Sequence, residues 1–287
     1  MKPSLQVFKM IEVSVVIVNY NTKKITLECI ESVIEEGLTC EIIVVDNGSK
    51  DGSVEEFRKL QKKVSNFVLI ENAGNLGFAK ANNQGIKVSK GKYVLLLNSD
   101  TKVKKGAIGK LVEFAEKTPD AGVISARLLN PDGSVQPSCL FFPTIKNAIL
   151  AYWFGKKGLF DKFAPKGKKP VEVEASVAAA FLITPRTFKV VGLLDERYFF
   201  YFEDIDYCLR VAGAGLKIYY LPNARIFHYH GASGKSLADE KNQWRRLIPS
   251  SKIYHGILKH YLITLILWTG QKWERLFATF GIGSKSP

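Results

Sequence analysis

Two apolar runs in this chain stop abruptly at a carboxylate. Val44-Val45 ends in Asp46, and Tyr93-Val94-Leu95-Leu96-Leu97 ends in Asn98-Ser99-Asp100. An apolar run of that length, bounded by turn residues, reads as an inner strand of a sheet covered on both faces. Ligands of open α/β sheets bind just beyond the carboxyl ends of such strands. Asp100 alone would pass for a helix cap or turn residue. Two strands ending in acids on the same rim point instead to a ligand site. Further along, Glu203-Asp204 closes an aromatic run from Tyr198 to Phe202, and His228 and His230 flank Tyr229. Acids at a helix start are favoured by the macrodipole, and a lone imidazole is often structural, so both groups also have plain readings.

The elements that must position these residues alternate. Val13 to Val18 reads as a first strand, leading through Asn19-Tyr20-Asn21-Thr22 into a helix with Leu27, Ile30, Val33 and Ile34 inward. Glu41 to Asp46 is the next strand, then a turn-rich loop and a helix over Val54–Lys62. Phe67 to Ile70 is a short strand, and the Asn72–Gly77 loop enters a helical segment from Phe78. Tyr93 to Leu97 follows, then a helix over Gly106–Lys117. Strand and helix alternating at this spacing imply βαβ units and a mostly parallel central sheet flanked by helices, an α/β fold.

After Gly122 the pattern loosens. Val123 to Ala126 reads as a strand, and Asn130-Pro131-Asp132-Gly133 as the turn of a hairpin-like excursion. Residues 144–170, rich in aromatics and lysines, read as a mobile or partner-facing insertion. Val177 to Thr184, Lys217 to Leu221 and Ala224 to Phe227 read as strands, and Ile205 to Ala212 as a helix. The tail is helical in pattern. Ile253, Ile257, Tyr261, Leu265 and Trp268 share one stripe; Leu262, Ile266, Trp273, Leu276, Phe277 and Phe280 extend it, with lysines and arginines alongside. Such a helix lies at a membrane interface, packs on the sheet domain, or forms a dimer contact.

A net charge of +14 over 287 residues calls for an anionic partner. No helix-turn-helix, zinc-finger or RNP pattern accompanies it, which argues against nucleic acid. Cys29, Cys40, Cys139 and Cys208 are scattered without zinc-ligand spacing and read as reduced, cytosolic thiols. Neither a signal peptide nor an apolar run of the roughly 20 residues that span a bilayer is visible. Gly234-Lys235-Ser236 is not a P-loop, because Tyr229 stands where the first glycine belongs. A dinucleotide fingerprint is likewise missing after the first strand.

Taken together, Val15-Val16-Ile17-Val18-Asn19-Tyr20-Asn21, Val44-Val45-Asp46-Asn47-Gly48-Ser49, the Asn75–Asn83 segment, Leu97-Asn98-Ser99-Asp100, the Leu194–Asp206 segment and His228-Tyr229-His230-Gly231 resemble the inverting family-two glycosyltransferases with the GT-A fold, rhamnosyltransferase-like branch. The resemblance runs from Val13 to about His260. It implies a GT-A domain over 12–240 and a C-terminal helical extension over 241–287. The activity it implies is sugar transfer from a nucleotide-diphosphate donor, dTDP-rhamnose or a UDP-sugar, to a lipid-linked or polysaccharide acceptor. The enzyme would work on the cytoplasmic face of the membrane, with an anionic lipid surface or a homodimer partner at the C-terminal helices. Asn19, Asn21, Asp46, Asn75, Gly77, Asn82, Asn98 and Ser99 would line the nucleotide site. Asn98-Ser99-Asp100 stands at the family's DxD position, with Asn for the first Asp. Asp100 and His228 (His230 as the alternative) would meet a divalent metal, Mg²⁺ or Mn²⁺. Asp204 would be the general base and Glu203 its neighbour on the acceptor side. Val177 to Ala180 departs from the branch, which has Gly there, and this bears on acceptor geometry. A sugar-binding relative without catalysis is the alternative; its mark would be loss of Asp100 or of the acid pair, and both are present.

Overall fold

The computed structural model describes residues 11–229 and 243–279. The first half runs β1 (Val13–Asn19), α1 (Lys23–Ile34), β2 (Cys40–Asp46), α2 (Ser53–Lys63), β3 (Phe67–Glu71), α3 (Phe78–Val88) and β4 (Tyr93–Asn98). These four strands are parallel, in the order β3-β2-β1-β4. Strand alternation sorts their side chains onto two cores. Val13, Val15, Ile17, Leu95 and Leu97 pack with Cys29, Ile30 and Phe57, and with Ile108 and Leu111 of α4 (Ala107–Lys117). Val16, Val94 and Leu96 pack on the other face with Ala79 and Ala81 of α3, and with Tyr207 and Val211 of α7 (Glu203–Gly213).

The sheet becomes mixed beyond β4. β10 (Ala180–Ile183) enters antiparallel between β4 and β6 (Ala121–Leu129), and β11 (Lys217–His228) lies parallel to β6. β8 (Val171–Val173) pairs antiparallel with β11, and β7 (Cys139–Leu140) with β9 (Ala175–Ser176) in a separate ribbon. The two short strands expected over 217–227 are one strand with a shift of register between Leu221 and Arg225. Pro222, which has no N–H to donate, lies in the extruded stretch. The hairpin-like excursion is present: Gly133 N donates to Asn130 O, and Leu129 bridges Val135.

A three-residue strand, β5 (Thr101–Val103), was not foreseen. It follows Asp100 directly and pairs antiparallel with the end of β11, setting His228 opposite Thr101.

The segment 144–170, expected to be mobile or partner-facing, is built into the structure. Thr144 caps α5 (Ile145–Tyr152), whose Ala148 is fully buried against Ile263 and Ile266 of α9 (Ile257–Thr279). α8 (Gln243–His255) precedes α9, and Ser250 Oγ donates to Phe200 O at 2.9 Å. The expected domain boundary near 240, His230 and Phe280 lie outside the described residues. α6 (Pro185–Val190) completes the fold.

Candidate active site

The ends of β1 and β2 build one side. Asn19 and Asp46 are register partners, and both are fully buried. Asn19 Nδ2 donates to Asp46 Oδ2 at 2.7 Å, while Asn19 Oδ1 accepts from the hydroxyls of Thr22 and Thr26. Asp46 Oδ1 accepts from the backbone N–H of Gly48 and Ser49. Asn21 sits at φ 53°, and its side chain accepts from Lys50 N. Asn82 Nδ2 turns back to Phe78 O inside α3. Asn19, Asn21, Asp46 and Asn82 thus fasten the loops around a pocket and do not line it.

The pocket itself is lined by Asn75, Gly77, Asn98 and Ser99 and also by Val18, Tyr20, Asn47, Phe78, Phe199 and Phe200. Tyr20 and Asn47 are each one residue past an expected residue, Asn19 and Asp46. Strand parity explains this, because successive side chains face opposite sides. Asn47 reaches Asn75 Oδ1 and Gly77 O, joining the two loops. Gly77 lies at φ 87°, where a Cβ would stand 2.6 Å from Phe199 O. A glycine is required both for that backbone and for that approach.

β5 brings the second group together. Tyr229 N donates to Asp100 O, and His228 Nε2 lies 3.4 Å from Asp100 Oδ1. Both residues are buried. His228 Nδ1 meets Gln136 Oε1 at 2.6 Å. An amide oxygen accepts only, so Nδ1 donates to Gln136, and Nε2 is the nitrogen turned toward Asp100. Gln136, which the sequence reading missed, is held in turn by Asn130 Oδ1 and His228 O. Asn98 Nδ2 lies 3.4 Å from the same Nε2, and Asn98 Oδ1 is buried without a hydrogen-bond donor among the described residues. A carboxylate, an imidazole with its other nitrogen anchored, and an amide oxygen are donor types that suit a divalent cation. Among the described residues no group of three or more His, Cys, Asp or Glu makes a complete protein cage. A Mg²⁺- or Mn²⁺-type ion held by this set would need further oxygens from water or phosphate.

The acid pair opens α7. Tyr201 and Phe202 both stand at φ 70°, and the helix begins at Glu203. Left-handed backbone at two bulky residues costs about 1–3 kcal/mol each and is typical of functional turns. Glu203 is buried, and its Oε2 has no hydrogen-bond partner among the described residues. Burial, then the adjacent Asp204 charge, pushes its carboxyl well above the usual range. Asp204 is half-buried and also raised by burial; the Ile205 N–H and the charge of Lys162 work against the rise. Asp204 Oδ2 accepts from Ala178 N at 3.3 Å, while Asn98 N donates to Ala179 O at 3.0 Å. The Ala178-Ala179 segment therefore links the Asn98–Asp100 side to the acid pair, through the Ala178 N–H and the Ala179 carbonyl.

Residues 14–153 match the family Glycosyl transferase family 2. The chain is 28% identical over 209 residues to N-acetylglucosaminyl-diphospho-decaprenol L-rhamnosyltransferase of Mycobacterium tuberculosis, covering 67% of each. It is 24% identical over 220 residues to the dTDP-rhamnosyl transferase RfbF of Shigella flexneri, covering 75% of this chain and 68% of that one. In three dimensions it resembles the mannosyltransferase PcManGT from Pyrobaculum calidifontis, solved with GDP-Man and Mn²⁺, with TM-score 0.60 at 16% identity over 97% of this chain and 77% of that one. It also resembles GalNAc-T7, solved with UDP, GalNAc and Mn²⁺, with TM-score 0.61 at 17% identity. There it covers 78% of this chain and spans 44% of the other.

Proposed function

We propose, for a chain that is a family-two glycosyltransferase of the rhamnosyltransferase-like kind with the GT-A fold, that it transfers a sugar with inversion from a nucleotide-diphosphate donor to a lipid-linked or polysaccharide hydroxyl. The donor class we favour is dTDP-rhamnose or a UDP-sugar, after the rhamnosyl relatives. Asn75, Gly77, Asn98 and Ser99, with Tyr20 and Asn47, line the nucleotide pocket. Asn19, Asn21, Asp46 and Asn82 hold its walls in place. Asp100 and His228 would hold Mg²⁺ or Mn²⁺, which when bound supplies positive charge to the departing diphosphate.

Asp204 takes the proton from the acceptor hydroxyl as that oxygen forms its bond to the anomeric carbon. The bond from that carbon to the diphosphate oxygen breaks, and the nucleoside diphosphate leaves with the electron pair. A base with a raised pKa suits this work near neutral pH, and activity should fall as pH drops through that raised value. Glu203, deeper and more readily protonated, keeps a second full charge away from Asp204. The observation that carries the assignment is the Ala178-Ala179 segment, whose Ala178 N–H bonds Asp204 and whose Ala179 carbonyl bonds Asn98.

The site would face the cytoplasmic surface of a membrane. Ile257, Leu258, Tyr261, Leu262, Leu265 and Trp268 of α9 are exposed, and Lys252 and Lys272 stand over the Tyr261 and Trp268 rings. An apolar helix face with lysines alongside suits an anionic lipid surface. No helix among the described residues is long and apolar enough to cross a membrane. A homodimer through the same face would instead appear as a dimer in solution. The test of the chemistry is Asp204→Asn. It should keep donor binding and lower turnover about 100-fold or more; full turnover in this variant would remove Asp204 from the base role.

A further inference from the structure

α9 is apolar on two faces. The outer face is the exposed one just described. The inner face carries His260, Ile263 and Ile266 toward the protein. It is held close because Gly270 packs on α5, where a Cβ would stand 2.5 Å from Tyr152 O. Between this inner face, α8 and the 140–162 segment lies a cleft of about 590 Å³. Leu140, Leu159, Phe202, Ile248, Ile263 and Leu267 give it an apolar wall.

The cleft is not an isolated void. Asp204 lines it, and so does Lys162, whose charge acts on Asp204. Its aromatic wall, Tyr201-Phe202, directly continues Phe199-Phe200, which line the donor pocket. One four-residue run therefore separates donor pocket from cleft. His255 and His260 add no charge near neutrality: burial, with His260 and Lys259 nearby, takes His255 down to about 4, and burial and Lys252 lower His260. Among the described residues Lys162 is thus the positive charge on the wall, beside the carboxylates Asp161 and Asp204.

We infer that this cleft is the acceptor subsite and holds the isoprenoid chain of a lipid-linked acceptor, with the acceptor's phosphate toward Lys162 and its sugar hydroxyl at Asp204. The inference rests on the glycosyltransferase reading above and names the acceptor class for it. The chemistry of the walls selects this occupant. A free oligosaccharide would leave the apolar part of the wall, Leu140, Leu159, Phe202, Ile248, Ile263 and Leu267, against hydroxyls it cannot bond, whereas a hydrocarbon chain buries apolar surface there. The lysine and the carboxylate at one place match the anionic, hydroxyl-bearing head of such a lipid. Because the same helix presents its other apolar face outward, a lipid held in the bilayer reaches the cleft without leaving an apolar surface.

The test is photolabelling of the full chain with farnesyl phosphate carrying a terminal diazirine, followed by peptide mapping. Donor binding is followed in parallel by nucleotide-sugar thermal shift. Labels should fall on peptides containing Leu140, Leu159 or Ile263. Leu159→Trp and Ile248→Trp, which fill the cleft from two segments, should each lower labelling at least ten-fold with the donor shift intact. Val190→Glu, exposed on α6 and outside the cleft lining, should leave it unchanged. Labels confined to the outer face, labelling insensitive to both tryptophans, or equal competition by phosphatidylglycerol would overturn the inference. A chain that labels in the cleft but binds no nucleotide sugar would instead remove the glycosyltransferase reading and leave a lipid-binding cleft.

Discussion

Replacing Glu203 by Gln should change how stability depends on pH, with a sign that the structure fixes. Glu203 is 5% exposed, its Oε2 has no hydrogen-bond partner among the described residues, and Asp204 adds a negative neighbour. The folded state therefore holds a proton on this carboxyl well above the ordinary value of 4.5. The unfolded state releases it near that ordinary value. Between the two pKa values the native state binds more protons, so unfolding free energy falls as pH rises. For one group the slope is about 1.4 kcal/mol per pH unit. At the transition this corresponds to roughly 3–5 °C in Tm per unit for a domain of this size. Below pH 4.5 the contribution is fully present, and it is lost as pH climbs through the raised value. Asp204 adds a slope of the same sign from its own burial, which the variant keeps. Thermal melts of wild type and Glu203→Gln from pH 4.5 to 8 should diverge, the variant gaining relative stability until the pH passes the raised value. Parallel profiles would mean that Glu203 is ionised at little cost in the folded protein, and would refute the buried-proton argument.

Gln136→Leu removes the acceptor that fixes His228 Nδ1–H and should weaken Mn²⁺ binding roughly 10–100-fold, read by electron paramagnetic resonance titration in the presence of nucleoside diphosphate. Unchanged Mn²⁺ affinity would separate His228 from the ion. On the outer face of α9, Leu258→Glu with Leu265→Glu should abolish sedimentation with phosphatidylglycerol vesicles and leave Tm within about 1–2 °C, since both side chains are exposed. Retained vesicle binding would move the membrane contact elsewhere.

The alternation of apolar runs and turns was enough to place the first four strands, and with them Asp46 and Asp100 on one rim. What the pattern could not resolve was which side chain at a strand end faces the pocket. Asn19 and Asp46 bond each other, and their successors Tyr20 and Asn47 line the pocket, because a one-residue step reverses the face. β5 escaped notice because three residues carry almost no periodic signal; yet its pairing with β11 sets His228 beside Asp100. Gln136 was invisible for a related reason. It reaches His228 across 92 positions of sequence, from an excursion with no motif of its own. In the tail, the stripe of Ile257, Tyr261, Leu265 and Trp268 was legible, but its direction was not. Those four side chains face outward, and the buried face is the less conspicuous one of His260, Ile263 and Ile266. A helix apolar on both sides gives no moment from which to choose.

The most direct measurement is nucleoside diphosphate release and thermal stabilisation across a panel of nucleotide sugars with Mg²⁺ or Mn²⁺, run for wild type and Asp100→Ala together. The account predicts a metal-dependent response to one donor, dTDP-rhamnose or a UDP-sugar, that disappears in the variant. The same response without metal, or one that survives Asp100→Ala, would contradict it.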